Sequence, residues 1–440
     1  MPVGVSLMVA PSPCEGRPHL NEGAELAAGG TLSTDGGTGL QSLIAEMGWQ
    51  PATADEVARA AAQGLLQEGH HLDIKRERAG GPSQNKEAAK DMASFAVDGG
   101  LLVYGVDESK APPSATPILL TGLPERLEQI ALAAVTEPLF VRTMVLPKSA
   151  DPTRGFVVVV VPPSGRAPHM VDGRYYGRGD KTKIVLSDAQ VSAMHEQRVM
   201  RERATQGLAQ ADLEDAPVPS TDGVLALVAR PLAAHTPLLE ELSTSCDWKQ
   251  RSLALLMRVA GAEAPYAPQL RHATSVARQP HGIRLSAGLD RARQVSSEGD
   301  VERNRRRVVE LRLDEDGTLH LLSARAVEVR DGWPLIFEQL IVGNARHLVA
   351  LCREVAALTG YQGGWHLCLS VDGLQGGISL VLSSAFQNGH VYTKQTYERA
   401  TTASAEELRA CPDGVVARLV GPLLRALGSE RLPDFQGLLP

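Results

Sequence analysis

Residues 90–108 read KDMASFAVDGGLLVYGVDE, and this stretch decides the fold of the first half of the chain. Asn85 is a favourable helix N-cap, and the alanine-rich run after it predicts a helix. Gly99-Gly100 ends that helix, since glycine tolerates the backbone geometry of a helix C-terminus. Residues 101–104 form an apolar run typical of a buried strand. Because residues 71–74 also read as a strand, the stretch predicts a strand–helix–strand core.

Outward from this core, the pattern predicts a mixed α+β fold in two parts. The first part continues with a helix near 125–135 and strands near 140–146 and 156–161, and a long charged helix begins at Ser187. In the second part, Asp314-Glu315-Asp316-Gly317 between two apolar runs is a hairpin signal. Other elements are predicted as a helix at 335–358, strands at 366–373, 378–384 and 391–399, and an amphipathic helix at 415–427.

Changes in composition mark the domain limits. Residues 1–38 are rich in Gly, Pro, Ser and Thr without an apolar period, which predicts a disordered leader. Residues 206–222 are acidic and proline-containing with few large apolar groups, which is typical of a linker. The sequence therefore predicts one domain at 39–205 and a second, α+β domain of unknown role at 223–440.

Composition and charge limit the possible functions. The 440 residues are 43% hydrophobic, enough for more than one core. A net charge of −7 means that any contact with nucleic acid depends on a local basic patch. The five cysteines show no zinc-ligand or disulfide spacing. Neither a signal peptide nor a run of about 18 apolar residues is found, so we expect a cytoplasmic protein without a membrane partner.

Three carboxylates and a lysine are the candidate catalytic residues: Glu68, Asp73, Lys75 and Asp107. Asp73 and Lys75 are two residues apart on a predicted strand and therefore project from the same face. Asp107 follows the buried strand. Oxygen ligands gathered in this way suit Mg²⁺ or Mn²⁺, which can hold a phosphodiester and activate water. The alternative is that Asp73 and Lys75 form a solvated ion pair of little energetic value.

A basic strip at 166–183 is the candidate nucleic-acid surface. Its cations can neutralise phosphates, and its tyrosines can stack on unpaired bases. The residues assigned to binding are Arg166, His169, Arg174, Tyr176, Arg178 and Lys181. The alternative is a charged hairpin with nothing bound.

Several of these motifs together resemble the bacterial Schlafen AlbA-type domain. The matching segments are Leu72-Asp73-Ile74-Lys75, residues 90–108, and the later run from Val157 to Gly179, about a third of the chain. The resemblance implies a metal-dependent endoribonuclease acting on structured RNA such as tRNA, with Glu68, Asp73 and Asp107 as metal ligands. Two positions depart from the family motif: Asp73 stands where the family has Glu, and Gly69 where it has Ser.

Three functions follow as hypotheses. The first is a nucleic-acid-binding protein of the Schlafen AlbA type that cleaves RNA with Mg²⁺ or Mn²⁺. The second is a non-catalytic DNA-binding regulator of transcription, stress or defence with a C-terminal sensor domain. The third is an ATP-binding switch, although Gly99-Gly100 lacks the remaining residues of a phosphate loop. Each of them allows a homo-oligomer.

Overall fold

The computed structural model describes residues 49, 51–77, 81–219, 223–232, 237–260, 269–330, 332–361, 363–384, 389–431 and 435. The leader predicted at 1–38 lies outside these residues. The chain has a mixed α+β fold, as the sequence predicted. No helix in the described ranges has both the length and the apolar character needed to cross a bilayer.

The N-terminal unit is built around one small mixed sheet. Its helices are α1 (Ala54–Ala62), α2 (Pro82–Phe95) and α3 (Leu123–Ala133). Its strands are β1 (Leu72–Lys75), β2 (Gly100–Tyr104), β3 (Val106–Asp107), β4 (Ser114–Ala115), β5 (Ile118–Leu119), β6 (Arg142–Lys148), β7 (Asp151–Val161), β8 (Met170–Val171), β9 (Arg174–Arg178) and β10 (Lys183–Val185). Strand β1 pairs in parallel with β2, which pairs antiparallel with β7, the partner of both β5 and β6. The predicted strand–helix–strand core is confirmed.

Both faces of this sheet are buried, which explains the continuous apolar sequence of β2 and β7. One face packs on α1 through residues such as Leu72, Ile74 and Val158. The other face packs on α2 and α3 through residues such as Leu102 and Val159. Strands β8, β9 and β10 form a separate antiparallel sheet, part of which joins this second core.

The C-terminal unit is built on a seven-stranded sheet. Its helices are α5 (Glu240–Thr244), α6 (Trp248–Val259), α7 (Val301–Arg305), α8 (Glu338–Thr359), α9 (Leu380–Ser384), α10 (Ala405–Ala410) and α11 (Pro412–Leu427), with a 3₁₀ turn at Leu270–His272. Its strands are β11 (Leu225–Pro231), β12 (Ser275–Gln279), β13 (Gly282–Ala287), β14 (Val309–Asp314), β15 (Leu319–Ser323), β16 (Val327–Arg330), β17 (Trp333–Ile336), β18 (Trp365–Asp372), β19 (Ile378–Ser379) and β20 (Thr396–Ala403). The large sheet has the order β12-β13-β14-β15-β11-β18-β20. Helices α8 and α11 contribute to the main core on one of its faces.

Two predicted elements of this unit differ from the structure, whereas the hairpin formed by β14 and β15 is confirmed. The strand predicted at 378–384 is only two residues long and turns into helix α9. Ser379 causes the turn, because its Oγ accepts a hydrogen bond from the Leu382 amide at 3.1 Å in the manner of a helix cap. The strand predicted at 391–399 begins later, at Thr396.

Helix α4 (Asp188–Glu214) runs from the N-terminal unit onto the C-terminal sheet. It begins at Ser187, which forms a capping box with Gln190. Within the segment expected as a linker, residues 206–214 are helical, and Ala209 packs against Val228 and Cys368. The polar composition of this segment therefore belongs to the last turns of a helix that is partly covered by the second unit.

Candidate active site

Strand β1 places Asp73 and Lys75 on the face of the sheet that packs on α2. Leu72 and Ile74 point to the other face, into the core formed with α1. The parallel register sets Asp73 beside Leu102 and Lys75 beside Tyr104, two residues of the core under α2. As predicted from the two-residue spacing, the aspartate and the lysine share a face.

Asp73 is a buried carboxylate held by two cations. It is 3% exposed, and Lys75 Nζ lies 2.9 Å from its Oδ1 and 2.8 Å from its Oδ2. Arg178 Nη1 lies 3.6 Å from the same Oδ2. Burial alone would raise the pKa of Asp73, but a hydrogen bond with Glu68 and the charges of Lys75 and Arg178 outweigh it and lower the pKa. Asp73 is therefore ionised at neutral pH.

Glu68 has the opposite protonation state. Burial, the hydrogen bond and charge of Asp73, and the neighbouring Glu108 together raise the pKa of Glu68 from 4.5 to about 8. At pH 7 the Glu68 carboxyl is thus mainly protonated and can donate a hydrogen bond to Asp73. Two interacting carboxyls with pKa values moved in opposite directions are a feature of acid–base sites.

Asp107 does not join this pair. Its Oδ1 accepts hydrogen bonds from the Ser109 amide at 3.0 Å and the Ser109 hydroxyl at 2.7 Å. These two bonds lower the pKa of Asp107. Its Oδ2 lies 3.8 Å from Arg76 Nε. The carboxyl that interacts with Glu68 from this loop is instead Glu108, an exposed residue that sequence reasoning missed.

The residues present do not fit the metal site expected from the sequence. Lys75 occupies both oxygens of Asp73, and the carboxylate of Asp107 is engaged by Ser109. Among the described residues, no three His, Cys, Asp or Glu side chains gather in an arrangement able to hold a metal ion. What the described geometry brings together is a carboxyl pair with an ammonium group.

A second charged cluster on the same side of the sheet was also missed. Asp91 of α2 is 5% exposed, and its Oδ1 lies 2.7 Å from Lys183 Nζ. The same ammonium lies 2.7 Å from Glu87 Oε2, and Glu87 also pairs with Lys90. The four-residue spacing of Glu87 and Asp91 is the signal that could have placed them on one helix face. These bonds fasten β10 to α2.

The basic strip is mostly internal. Arg178 has a side chain only 3% exposed, donates to the carbonyl oxygens of Gly69 and Leu72, and stacks 4.4 Å from the centre of the Phe95 ring. Tyr176 is part of the core under α2. Both side chains hold the hairpin formed by β9 and β10 against the sheet.

Two further members of the strip also have structural contacts. His169 is 1% exposed, with Nδ1 3.0 Å from Glu137 O and Nε2 2.7 Å from Ser164 Oγ, and burial lowers its pKa. Arg166 pairs with Glu407 of the C-terminal unit at 3.4 Å. Exposed positions in the strip are Arg174 and Lys181.

Comparisons with known proteins add little to this geometry. No protein-family model and no curated protein sequence matches the chain. Among solved structures, the DIP2311 protein from Corynebacterium diphtheriae is similar at a TM-score of 0.26 and 12% identity, over 72% of this chain and 74% of that one. A similarity of that size carries no argument about fold or function. The resemblance to Schlafen AlbA-type domains therefore stays a prediction.

Proposed function

We propose that this is a nucleic-acid-binding protein of the Schlafen AlbA type that cleaves RNA. Its active site would consist of Glu68, Asp73 and Lys75. One feature carries the proposal: the buried Asp73 carboxylate lies 2.8 Å from the Lys75 ammonium, and the neighbouring Glu68 carboxyl has a raised pKa. A cytoplasmic location belongs to the same proposal, because the four described cysteines are free thiols.

The chemistry follows from these protonation states. In RNA the 2′-hydroxyl gives up its proton to hydroxide from the solvent and attacks the adjacent phosphorus. The bond to the 5′-oxygen of the next nucleotide then breaks, which leaves a 2′,3′-cyclic phosphate. The protonated Glu68 carboxyl donates its proton to that leaving oxygen as a general acid. The Lys75 ammonium stabilises the charge that develops on the phosphoryl oxygens. Asp73 stays ionised, orients Lys75 and accepts the hydrogen bond of Glu68.

Single-turnover cleavage of a tRNA transcript tests the proposal. Glu68→Gln keeps the shape of the side chain but removes the transferable proton, so we expect a rate at least about 100-fold lower. Lys75→Met should slow the reaction as well. Glu125→Gln is the matched control, because it makes the same change at an exposed position of α3.

Reactions in EDTA and in Mn²⁺ separate this acid–base chemistry from the metal-dependent cleavage that the family resemblance implies. Cleavage in EDTA that depends on Glu68 supports the proposal. If Glu68→Gln cleaves at the parental rate, the carboxyl pair has no catalytic role. If cleavage requires Mn²⁺, the mechanism written above is wrong and the metal-dependent reading takes its place.

A non-catalytic DNA-binding regulator is the second candidate. The observation that favours it is that both oxygens of Asp73 already have partners: Lys75 contacts both of them, and Arg178 contacts one. Ion pairs of this kind also occur where a network only fixes a fold. A parent protein that binds duplex DNA and leaves tRNA intact under all conditions would establish this second function over the first.

A further inference from the structure

A polar cleft lies at the sheet edge next to the candidate active site. It has a volume of about 370 Å³, within the range of cavities that hold small ligands. Residues from four segments line it: Arg76 and Glu77 after β1, Thr116 before β5, Lys148 and Asp151 at the turn between β6 and β7, and Arg154 of β7. We call it the Arg76 cleft.

Cations outnumber anions in the Arg76 cleft by three to two. The Arg76 side chain is 70% exposed, and Lys148 is also exposed. Arg154 is held in place by Pro117, whose carbonyl oxygen accepts hydrogen bonds from its Nε at 3.2 Å and its Nη2 at 2.7 Å. A fixed guanidinium beside two exposed cations suits an anion with several oxygens.

One of the two acids is already engaged. Asp151 Oδ1 accepts hydrogen bonds from the Thr153 amide at 3.1 Å and the Thr153 hydroxyl at 2.6 Å. This carboxylate therefore stabilises the turn between β6 and β7, although the charges of Arg154 and Lys148 also act on it. The balance of the cleft favours an anionic ligand over a cationic one.

The chain connects the Arg76 cleft directly to the carboxyl pair. Arg76 follows Lys75, and its Nε lies 3.8 Å from Asp107 Oδ2. The next residue after Asp107 is Glu108, which helps to raise the pKa of Glu68. Through Arg76 and Asp107, the cleft and the carboxyl pair are neighbours in the fold.

We propose that the Arg76 cleft binds backbone phosphates of the RNA strand that is presented to Glu68. This inference rests on the proposed function and replaces the strip at 166–183 as the principal phosphate-binding surface. Arg76 and Lys148 neutralise phosphates from solvent-exposed positions, and Arg154 supplies a fixed guanidinium. Because these contacts reach the backbone alone, they discriminate little between base sequences.

Fluorescence anisotropy on the full chain tests the proposal. The probe is a labelled single-stranded RNA of about 20 nucleotides, long enough for a single-strand groove and 2′-O-methylated to prevent cleavage. Arg76→Ala with Lys148→Ala should weaken binding about tenfold or more and lower the salt slope by about 1.4, two contacts at about 0.7 each. Both residues are exposed, so the variant should melt like the parent.

Two control variants decide between surfaces. Lys249→Ala with Lys394→Ala removes the same charge from exposed positions of the C-terminal unit and should leave the affinity within about twofold. Arg174→Ala with Lys181→Ala tests the exposed part of the original strip. If the parent binds the RNA and the Arg76/Lys148 variant binds it as tightly as the Lys249/Lys394 variant does, the cleft proposal is wrong and the proposed function stands. Weaker binding by the Arg174/Lys181 variant alone would assign the phosphate contacts to the original strip. If the parent binds no RNA, both are wrong.

Discussion

Replacing Glu68 with glutamine should stabilise the protein at alkaline pH, even though it removes a candidate catalytic group. The folded state keeps the Glu68 carboxyl protonated up to a pKa of about 8, whereas in the unfolded chain it ionises near 4.5. Between these values the folded state binds more protons than the unfolded state. The free energy of unfolding of the parent therefore falls as the pH rises through this window. Glutamine carries no charge at any of these pH values, so the variant does not lose stability in this way.

The size of the effect follows from the same two pKa values. A rise from 4.5 to about 8 corresponds to at most about 5 kcal/mol in the free energy of unfolding. Glu68 is partly exposed, and solvent screening reduces such a value, so we expect about 2 kcal/mol. At about pH 5 the difference between variant and parent should be small, because the amide can still donate a hydrogen bond to Asp73.

Urea unfolding followed by tryptophan fluorescence at about pH 5 and about pH 9 measures this difference. Glu125→Gln is the control, since an exposed helix residue should change the free energy of unfolding equally at both pH values. The reasoning fails if Glu68→Gln and the parent show the same pH dependence. It also fails if the variant is the less stable protein at about pH 9, because an ionised Glu68 would then be favourable in the fold.

Three further outcomes are expected from other contacts. Asp73→Asn should lower the free energy of unfolding by about 3 kcal/mol, because it leaves Arg178 buried without a full counter-charge. Urea unfolding at neutral pH measures this change, and an unchanged free energy would show that Arg178 finds another partner. The side chain of His320 is 4% exposed. Burial lowers its pKa, but hydrogen bonds with Asp212 and Asp314 outweigh burial and raise the pKa above 6.5. The stability that the charged His320 contributes is complete below about pH 6.5 and is lost as the pH rises through the raised pKa. His320→Gln should therefore lower the free energy of unfolding by about 2 kcal/mol near pH 5 and by less at pH 9. An equal loss at both pH values in urea unfolding would contradict this. Gly155→Ala should destabilise by about 2 kcal/mol, since the added Cβ would lie 2.1 Å from a backbone carbonyl oxygen, and a thermal melt equal to that of the parent would disprove the clash.

The fold of the N-terminal unit was accessible from sequence because its signals are local. The glycine pair after α2 and the valine run of β7 determine an element and its burial without reference to distant residues. The contacts between side chains, in contrast, depend on residues that are distant in the sequence. Asp73 and Lys75 share a face by strand parity, but the pKa of Glu68 depends on Asp73 and Glu108, and Glu108 comes from a loop 40 residues later in the chain. The sequence predicted that Glu68 and Asp73 are candidate site residues, but it did not predict which of the two carboxyls is protonated.

The basic strip shows why composition misleads in a small sheet. Arg174, Tyr176 and Arg178 alternate along β9 and therefore face one way. Reading them as a surface assumed that this face meets solvent. In the structure Tyr176 and Arg178 lie against α2, where Arg178 stacks on Phe95, and Arg174 at the start of β9 is exposed. An arginine in such a position serves the fold, and a variant of it would test stability before it tested binding.

Helix α4 shows the same limit over a longer range. Acidic composition suggested a linker at 206–222, but Asp212 is buried by pairing with His320, 108 positions away. The helix starts after β10, whose Lys183 holds Asp91 beside the candidate active site. One continuous helix therefore connects the strand next to the candidate active site to the sheet of the C-terminal unit.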